Sequence, residues 1–213
     1  MILTDKTILD SMEKGEIVIT PFDRKNLGTN SVDLTLAPHM KTYVNGNKWF
    51  YENHVQKRSY FSTHDEERET FHLFGLTKGY FIDCKENNET VEHEIPEEGF
   101  ILQPGKLYIA STNEYTETHN AVPKLEGRSS IGRLGLFVHV TAGYGDVGFC
   151  GTWTLELVAT VPLRIYPNMK ICQISYHAIT EKPLVSYDKK ESAKYSGQDG
   201  ATASKDFQNF VNT

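Results

Sequence analysis

Apolar and polar positions alternate along most of this chain with the period of a β-strand, and only its start follows the period of a helix. Ile8, Leu9 and Met12 share one helical face, which predicts a short N-terminal helix over residues 4–14. Thr4 suits the N-cap, Asp5 suits the first turn, and Gly15 can end the helix. Leu3 and Ile8 bracket that start as a hydrophobic staple. Residues 16–20 read as a strand stopped by Pro21, and Ser31 to Leu36 alternates polar with apolar. Asn45-Gly46 between aromatic segments predicts a hairpin. Further strands are predicted over 79–84, 99–103, 107–112, 135–140, 152–159 and 171–177, with Pro104-Gly105 as a turn between two of them. Many short strands with Gly, Pro and Asn punctuation predict a mainly β sandwich or barrel-like fold.

Two stretches break the pattern. Residues 52–70 are polar and charged, with the run His64-Asp65-Glu66-Glu67-Arg68-Glu69, and read as a solvated surface insertion. From Tyr187 onward the chain is rich in Lys, Gly, Ser and Ala and poor in apolar residues. Composition alone makes that tail mobile. Its Tyr195, Gln198 and Phe207 support a sharper reading, a lid that orders over a ligand.

A chain of 213 residues suits one domain and buries enough surface to need no staples. Its net charge of −6 argues against nucleic-acid binding through bulk electrostatics, although clustered arginines can still act locally. No apolar run approaches the roughly 18 residues of a membrane span, and no signal peptide is evident. Cys84, Cys150 and Cys172 are widely spaced, which fits reduced thiols and a cytoplasmic protein. There is no Cys-x-x-Cys, so the ligand set of a zinc nucleobase deaminase is missing.

Candidate chemistry concentrates between Gly127 and Leu157. Arg128 and Arg133 bracket Ser129 and Ser130, a combination that suits phosphate oxygens, but no Gly-Lys-Ser/Thr makes it a P-loop. Gly143, Gly145, Gly148 and Gly151 surround Asp146 and permit close approach of backbone to a ligand. With a period of two, Thr152, Thr154, Glu156 and Val158 share one strand face, while Trp153, Leu155 and Leu157 share the core face. A glutamate in so apolar a strand, balanced between burial and a nearby arginine, can exchange protons near neutral pH. His139 reads as a structural histidine before the Gly-rich turn.

At these residues the chain resembles the dCTP deaminase family of the trimeric dUTPase superfamily, over 1–43 and from 99 to the end. Gly127 to Leu136 (Gly-Arg-Ser-Ser-Ile-Gly-Arg-Leu-Gly-Leu) is similar to the family's most characteristic segment. Asp146-x-Gly148-Phe149-x-Gly151 with Leu155-Glu156, and Lys194-Tyr195-x-x-Gln198-x-Gly200, are similar to its second and third. The resemblance implies a distorted β-barrel of dUTPase type formed by one domain of residues 1–213, with an insertion near 44–75 and a lid near 187–213. It further implies a homotrimer with active sites between subunits and zinc-free deamination of dCTP at C4. Glu156 is then the general base and acid, and Ser129 and Arg133 position the water. Arg128, Ser130, Ile131, Gly132 and Arg133 lie in the segment that meets the triphosphate, and Asp146 holds the 3′-hydroxyl. Thr154 and Leu155 read the base edge, and Gln173, Tyr187, Lys194, Tyr195 and Gln198 complete the pocket. Mg²⁺ arrives on the nucleotide phosphates.

Ala142-Gly143-Tyr144 looks more like the bifunctional members, and Lys170 to Ile174 resembles a dUTPase segment; in that reading Asp146 also activates the water that cleaves the triphosphate to dUMP and pyrophosphate. The family's usual Ile before the aspartate is Gly145 here. The alternatives are a deaminase that stops at dUTP, a dUTPase without deaminase activity, and a nucleotide-binding regulator; Glu156 favours deamination over the last two. Inhibition by dTTP is plausible on the resemblance.

Overall fold

The computed structural model describes residues 1–44 and 82–211. The expected Asn45-Gly46 hairpin and nearly all of the 44–75 insertion lie outside the described residues. The helix α1 (Asp5–Glu13) forms as its periodicity predicts, with Thr4 at the N-cap position but no capping bond from its hydroxyl. Its Ile8 is fully buried, and Leu3 and Met12 pack against the same core.

The strands are β1 (Ile17–Thr20), β2 (Val32–Thr35), β3 (His39–Tyr43), β4 (Thr90–Glu94), β5 (Phe100–Leu102), β6 (Leu107–Thr118), β7 (Ala121–Gly127), β8 (Leu136–Val138), β9 (Cys150–Ala159), β10 (Leu163–Ile165) and β11 (Lys170–Ala178). A one-turn helix, α2 (Ser129–Gly132), joins β7 to β8. Pairing gives a six-stranded sheet ordered β4-β3-β6-β9-β8 with β1 also on β6, a three-stranded sheet β2-β11-β7, and the pair β10-β5. The mainly β expectation holds, with the strands distributed over separate sheets among the described residues. The chain forms two compact units, Met1–Thr42 with Glu92–Thr202 and Tyr43–Val91 with Ala203–Thr213. In the second, the Tyr43 hydroxyl accepts from the Ser204 amide and Val44 N–H donates to the Glu89 carbonyl.

The core of the first unit follows the alternation. Trp153, Leu155 and Leu157 of β9 point inward with Tyr108 and Ala110 of β6 and Leu34 of β2. Each such large side chain contributes roughly 1.5–3 kcal/mol on burial.

Three expectations need correction. The strand predicted over 107–112 runs on to Thr118, past a register shift between Ser111 and Tyr115. Polar Asn113-Glu114 hid this continuation. Glu114 is buried because its carboxylate accepts from both the amide and the hydroxyl of Thr35, each at 2.8 Å. The strand predicted over 135–140 stops at Val138, because His139 takes φ 51°, which no strand accommodates. Residues 82–84 of the strand predicted at 79–84 are not strand.

Candidate active site

The arginine–serine segment is placed by the three-stranded sheet. β7 pairs along its whole length with β11 and delivers Gly127 beside Cys172. Arg128 is extended (φ −91°, ψ 142°) and opens α2, whose Ile131 is buried in the core. That anchor leaves Ser129, Ser130, Gly132 and Arg133 exposed. Arg128 is not free, as its Nε donates to Asp33 Oδ1 at 2.9 Å. Lys170 Nζ takes the other oxygen of the same carboxylate at 3.2 Å. One carboxylate between two cations fixes the guanidinium while leaving both Nη groups for other acceptors. Gln173 sits alongside, accepting from the Ser31 hydroxyl at 3.2 Å and donating to the Gly127 carbonyl at 3.4 Å. In the sequence Asp33 is an ordinary polar position of an alternating strand, with nothing local to mark it as the partner of Arg128.

The Gly-rich segment lies flat along β7. Leu125 N–H donates to the Gly143 carbonyl, and Gly145 N–H donates to the Pro123 carbonyl. Asp146 starts a tight turn closed by Phe149 N–H on its carbonyl at 3.0 Å, with Gly148 at φ 91° as that turn requires. The Asp146 carboxylate is exposed.

Glu156 stands on the half-buried face of β9 with Thr154, as its spacing predicts. Its carboxylate meets His139, with Nδ1 2.5 Å from Oε2. The other ring nitrogen, Nε2, lies 2.7 Å from the Ala142 carbonyl oxygen. A carbonyl only accepts, so Nε2 carries a hydrogen. The Nδ1···Oε2 contact therefore holds a single shared proton, either on an imidazolium facing a carboxylate or on a carboxylic acid facing a neutral ring. His139 is 8% exposed, its amide donates to the Glu156 carbonyl, and its ring meets Trp153 edge-on. In the sequence His139 stands only as a structural histidine before the Gly-rich turn. No spacing rule joins positions 139 and 156; they meet because β8 pairs antiparallel with β9, Val138 opposite Leu157, and His139 continues that register with its amide on the Glu156 carbonyl.

The tail is not free. Tyr187 N–H donates to the Val147 carbonyl, its ring lies 6.2 Å from Phe149, and its hydroxyl accepts from Tyr195 N–H. Gln198 reads Thr152 twice, its carbonyl accepting the Thr152 amide at 3.0 Å and its side-chain amide donating to the Thr152 carbonyl at 2.8 Å. Gly200 N–H donates to the Thr152 hydroxyl, and Thr202 N–H donates to the Thr154 hydroxyl. This approach needs Gly151, where a Cβ would stand 2.7 Å from the Gln198 carbonyl oxygen. Lys194 and Tyr195 are half-buried in the same segment. The polar face of β9 thus carries the tail and Glu156 together. Gln173 belongs to the three-stranded sheet, Arg128 and α2 form the connection from that sheet to β8, and no hydrogen bond joins Ser129 or Arg133 to Glu156 among the described residues.

All three cysteines are free thiols. Burial pushes the Cys172 thiol well up from its ordinary value, so it stays protonated. Among the described residues no three His, Cys, Asp or Glu side chains cluster as a metal-ligand set, and no helix is long and apolar enough to cross a membrane.

A family model described as dCTP deaminase-like matches residues 2–179. A dUMP-forming dCTP deaminase of Clostridium botulinum (strain Alaska E43) is 41% identical over 210 residues, 99% of both chains. Its counterpart from Clostridium acetobutylicum is 42% identical over 212 residues and the full length of both. One from Cytophaga hutchinsonii is 42% identical over 99% of each chain. The solved 2′-deoxycytidine 5′-triphosphate deaminase of Agrobacterium tumefaciens shares the fold, with TM-score 0.53 and 19% identity over 84% of this chain and 48% of that one. Motifs, fold and full-length similarity agree: the chain belongs to the dCTP deaminase-like family.

Proposed function

We propose that this protein hydrolyses dCTP to dUMP, ammonia and pyrophosphate in one site. The observation that carries the reading is the Glu156–His139 pair on the polar face of β9. Glu156 takes a proton from water while the water oxygen bonds to C4 of the cytosine. That proton passes to the ring nitrogen N3, and Glu156 then carries a second proton from the new C4 hydroxyl to the amine, so ammonia leaves and a carbonyl forms. A glutamate that already shares a proton with an imidazole can give and take one without a large change in local charge. His139 also keeps one carboxylate oxygen turned away, leaving Oε1 for the water.

In this reading the substrate is Mg²⁺–dCTP, with the ion bound through the phosphates and water. Arg128, held by Asp33, and Ser130, Gly132 and Arg133 meet the triphosphate; Ser129 and Arg133 position the water. Asp146 holds the 3′-hydroxyl and then activates the water that cleaves the triphosphate. Thr154 and Leu155 read the base, and Gln173, Tyr187, Lys194, Tyr195 and Gln198 close the pocket, with residues 187–213 as the lid of one dUTPase-like domain. Full-length similarity to dUMP-forming enzymes supports the second step.

The working form is a homotrimer in the cytoplasm. Leu134, Phe137 and Val161 are each more than half exposed around the open edge strand β8, an apolar surface suited to another copy. Assembly also offers a way to bring one subunit's arginine segment to another's Glu156, since no hydrogen bond links Ser129 or Arg133 to Glu156 among this chain's described residues.

The test is to incubate the protein with dCTP and Mg²⁺ and resolve the products by chromatography. dUMP with pyrophosphate and ammonia is expected. dUTP alone would leave a deaminase without the second step. Unchanged dCTP with cleaved dUTP would indicate a dUTPase, and no turnover of either a binding protein.

A further inference from the structure

Gly145 stands where no side chain fits. Its backbone is outside the left-handed region, so conformation does not demand glycine. Space does, because a Cβ would lie 2.5 Å from Cη2 at the outer edge of the Trp153 indole and 2.8 Å from Pro123 Cγ. Gly145 cannot simply back away, since its N–H is tied to the Pro123 carbonyl at 2.8 Å. Trp153 cannot yield easily either. It is 5% exposed, its Nε1 donates to Thr116 Oγ1 at 2.9 Å, its amide donates to Thr112 Oγ1, and its ring lies 4.6 Å from Phe149. The indole is therefore a fixed floor under the hairpin. Asp146 is the next residue, and its backbone is bonded onward to Phe149. The height of the Asp146 carboxylate follows from how closely residue 145 rests on that floor.

We infer that the Gly145–Trp153 contact is a specificity determinant for the product: it positions Asp146 for triphosphate cleavage and so selects dUMP over dUTP. The inference rests on the function proposed above. In that step a water oxygen bonds to the α-phosphorus and the bond from the α-phosphorus to the bridging oxygen breaks. Pyrophosphate departs with the electron pair, and the water proton goes to Asp146. Both Gly145 and Trp153 act through Asp146 and are positioning residues. A methyl group at position 145 must move from 2.5 Å to at least the 3.4 Å of ordinary contact. The hairpin then lifts by roughly 1 Å, and a misplacement of that size can cost about 100-fold in an oriented reaction. Deamination depends on Glu156, which β9 carries on the face opposite Trp153; ammonia release reads any disturbance passed on through His139, which touches both the Trp153 ring and the Ala142 carbonyl.

The experiment measures ammonia release and the dUMP:dUTP ratio in the same reaction of the full chain with Mg²⁺–dCTP. Gly145→Ala is expected to keep ammonia release within about twofold while the dUMP:dUTP ratio falls at least about tenfold. Trp153→Phe shortens the floor and lowers the ratio as well. In the double variant the methyl group occupies the vacated space, and the ratio returns toward wild type. A wild-type ratio in either single variant overturns the inference, as does a double variant no better than Gly145→Ala. If Gly145→Ala does not fold, Trp153→Phe and the double variant still decide. Absence of both ammonia and dUMP from the wild type refutes the underlying function, whereas unchanged ratios in active variants refute only this inference.

Discussion

Replacing His139 with asparagine isolates the shared proton at Glu156. Asparagine tolerates the φ of 51° at this position better than most residues, so the backbone turn is retained. The change deletes the 2.5 Å contact to Glu156 and the 2.7 Å contact to the Ala142 carbonyl. A hydrogen bond to a charged group contributes about 1.5–3 kcal/mol, and a neutral one about 1 kcal/mol. Taking ~2 kcal/mol for the Glu156 contact, with ~1.4 kcal/mol per factor of ten, kcat should fall about 30-fold. KM should move less than about threefold, because the imidazole touches the carboxylate and not the nucleotide. The assay is the initial rate of ammonia release across dCTP concentrations, with a thermal melt to register the loosened Ala142 contact. A kcat within twofold of wild type would refute the claim that Glu156 works through His139. A raised KM at unchanged kcat would move the role of His139 from proton handling to binding.

Three further outcomes are expected. Glu156→Gln keeps nucleotide binding, measured by calorimetry with dCTP, but lowers ammonia release by at least about 100-fold; near-normal deamination would remove Glu156 from the reaction. Deleting residues 188–213 discards the contacts of Gln198, Gly200 and Thr202 with β9 and should raise KM and slow turnover; an unchanged KM would refute the lid. Burial lifts the Glu114 carboxyl above its ordinary 4.5, with the Thr35 bonds only partly opposing. The folded state therefore holds this proton more tightly than the unfolded state. That contribution is complete below 4.5 and is lost as pH rises through the raised folded value. Melting against pH should show Glu114→Gln losing less stability than wild type over that rise, and parallel curves would count against the buried charge.

Much of the chemistry was legible along the chain because it depends on local spacing. The period-two face of β9 placed Glu156 and Thr154 together, and the run from Gly127 to Arg133 marked a phosphate-suited corner, since neighbours on a strand or turn have fixed relations. The helical spacing of Ile8, Leu9 and Met12 likewise predicted α1, and strand alternation predicted the mainly β character and the core face of Trp153, Leu155 and Leu157. It failed where a polar residue is buried with its partners. Glu114 looked like the end of a strand because the two bonds from Thr35 come from a residue distant in sequence. The tail read as mobile on composition, and its contacts with Val147, Thr152 and Thr154 order it.

By itself the sequence determined which residue types are available and which strand faces they occupy. Backbone geometry dictates those relations wherever the strand lies. Tertiary structure decided which of them meet. His139 joins Glu156, Asp33 holds Arg128, and Trp153 limits residue 145, each across a sequence separation that no periodicity spans. Such contacts arise when separate strands register and a chain reverses at positive φ, and those events depend on the packing of the whole sheet.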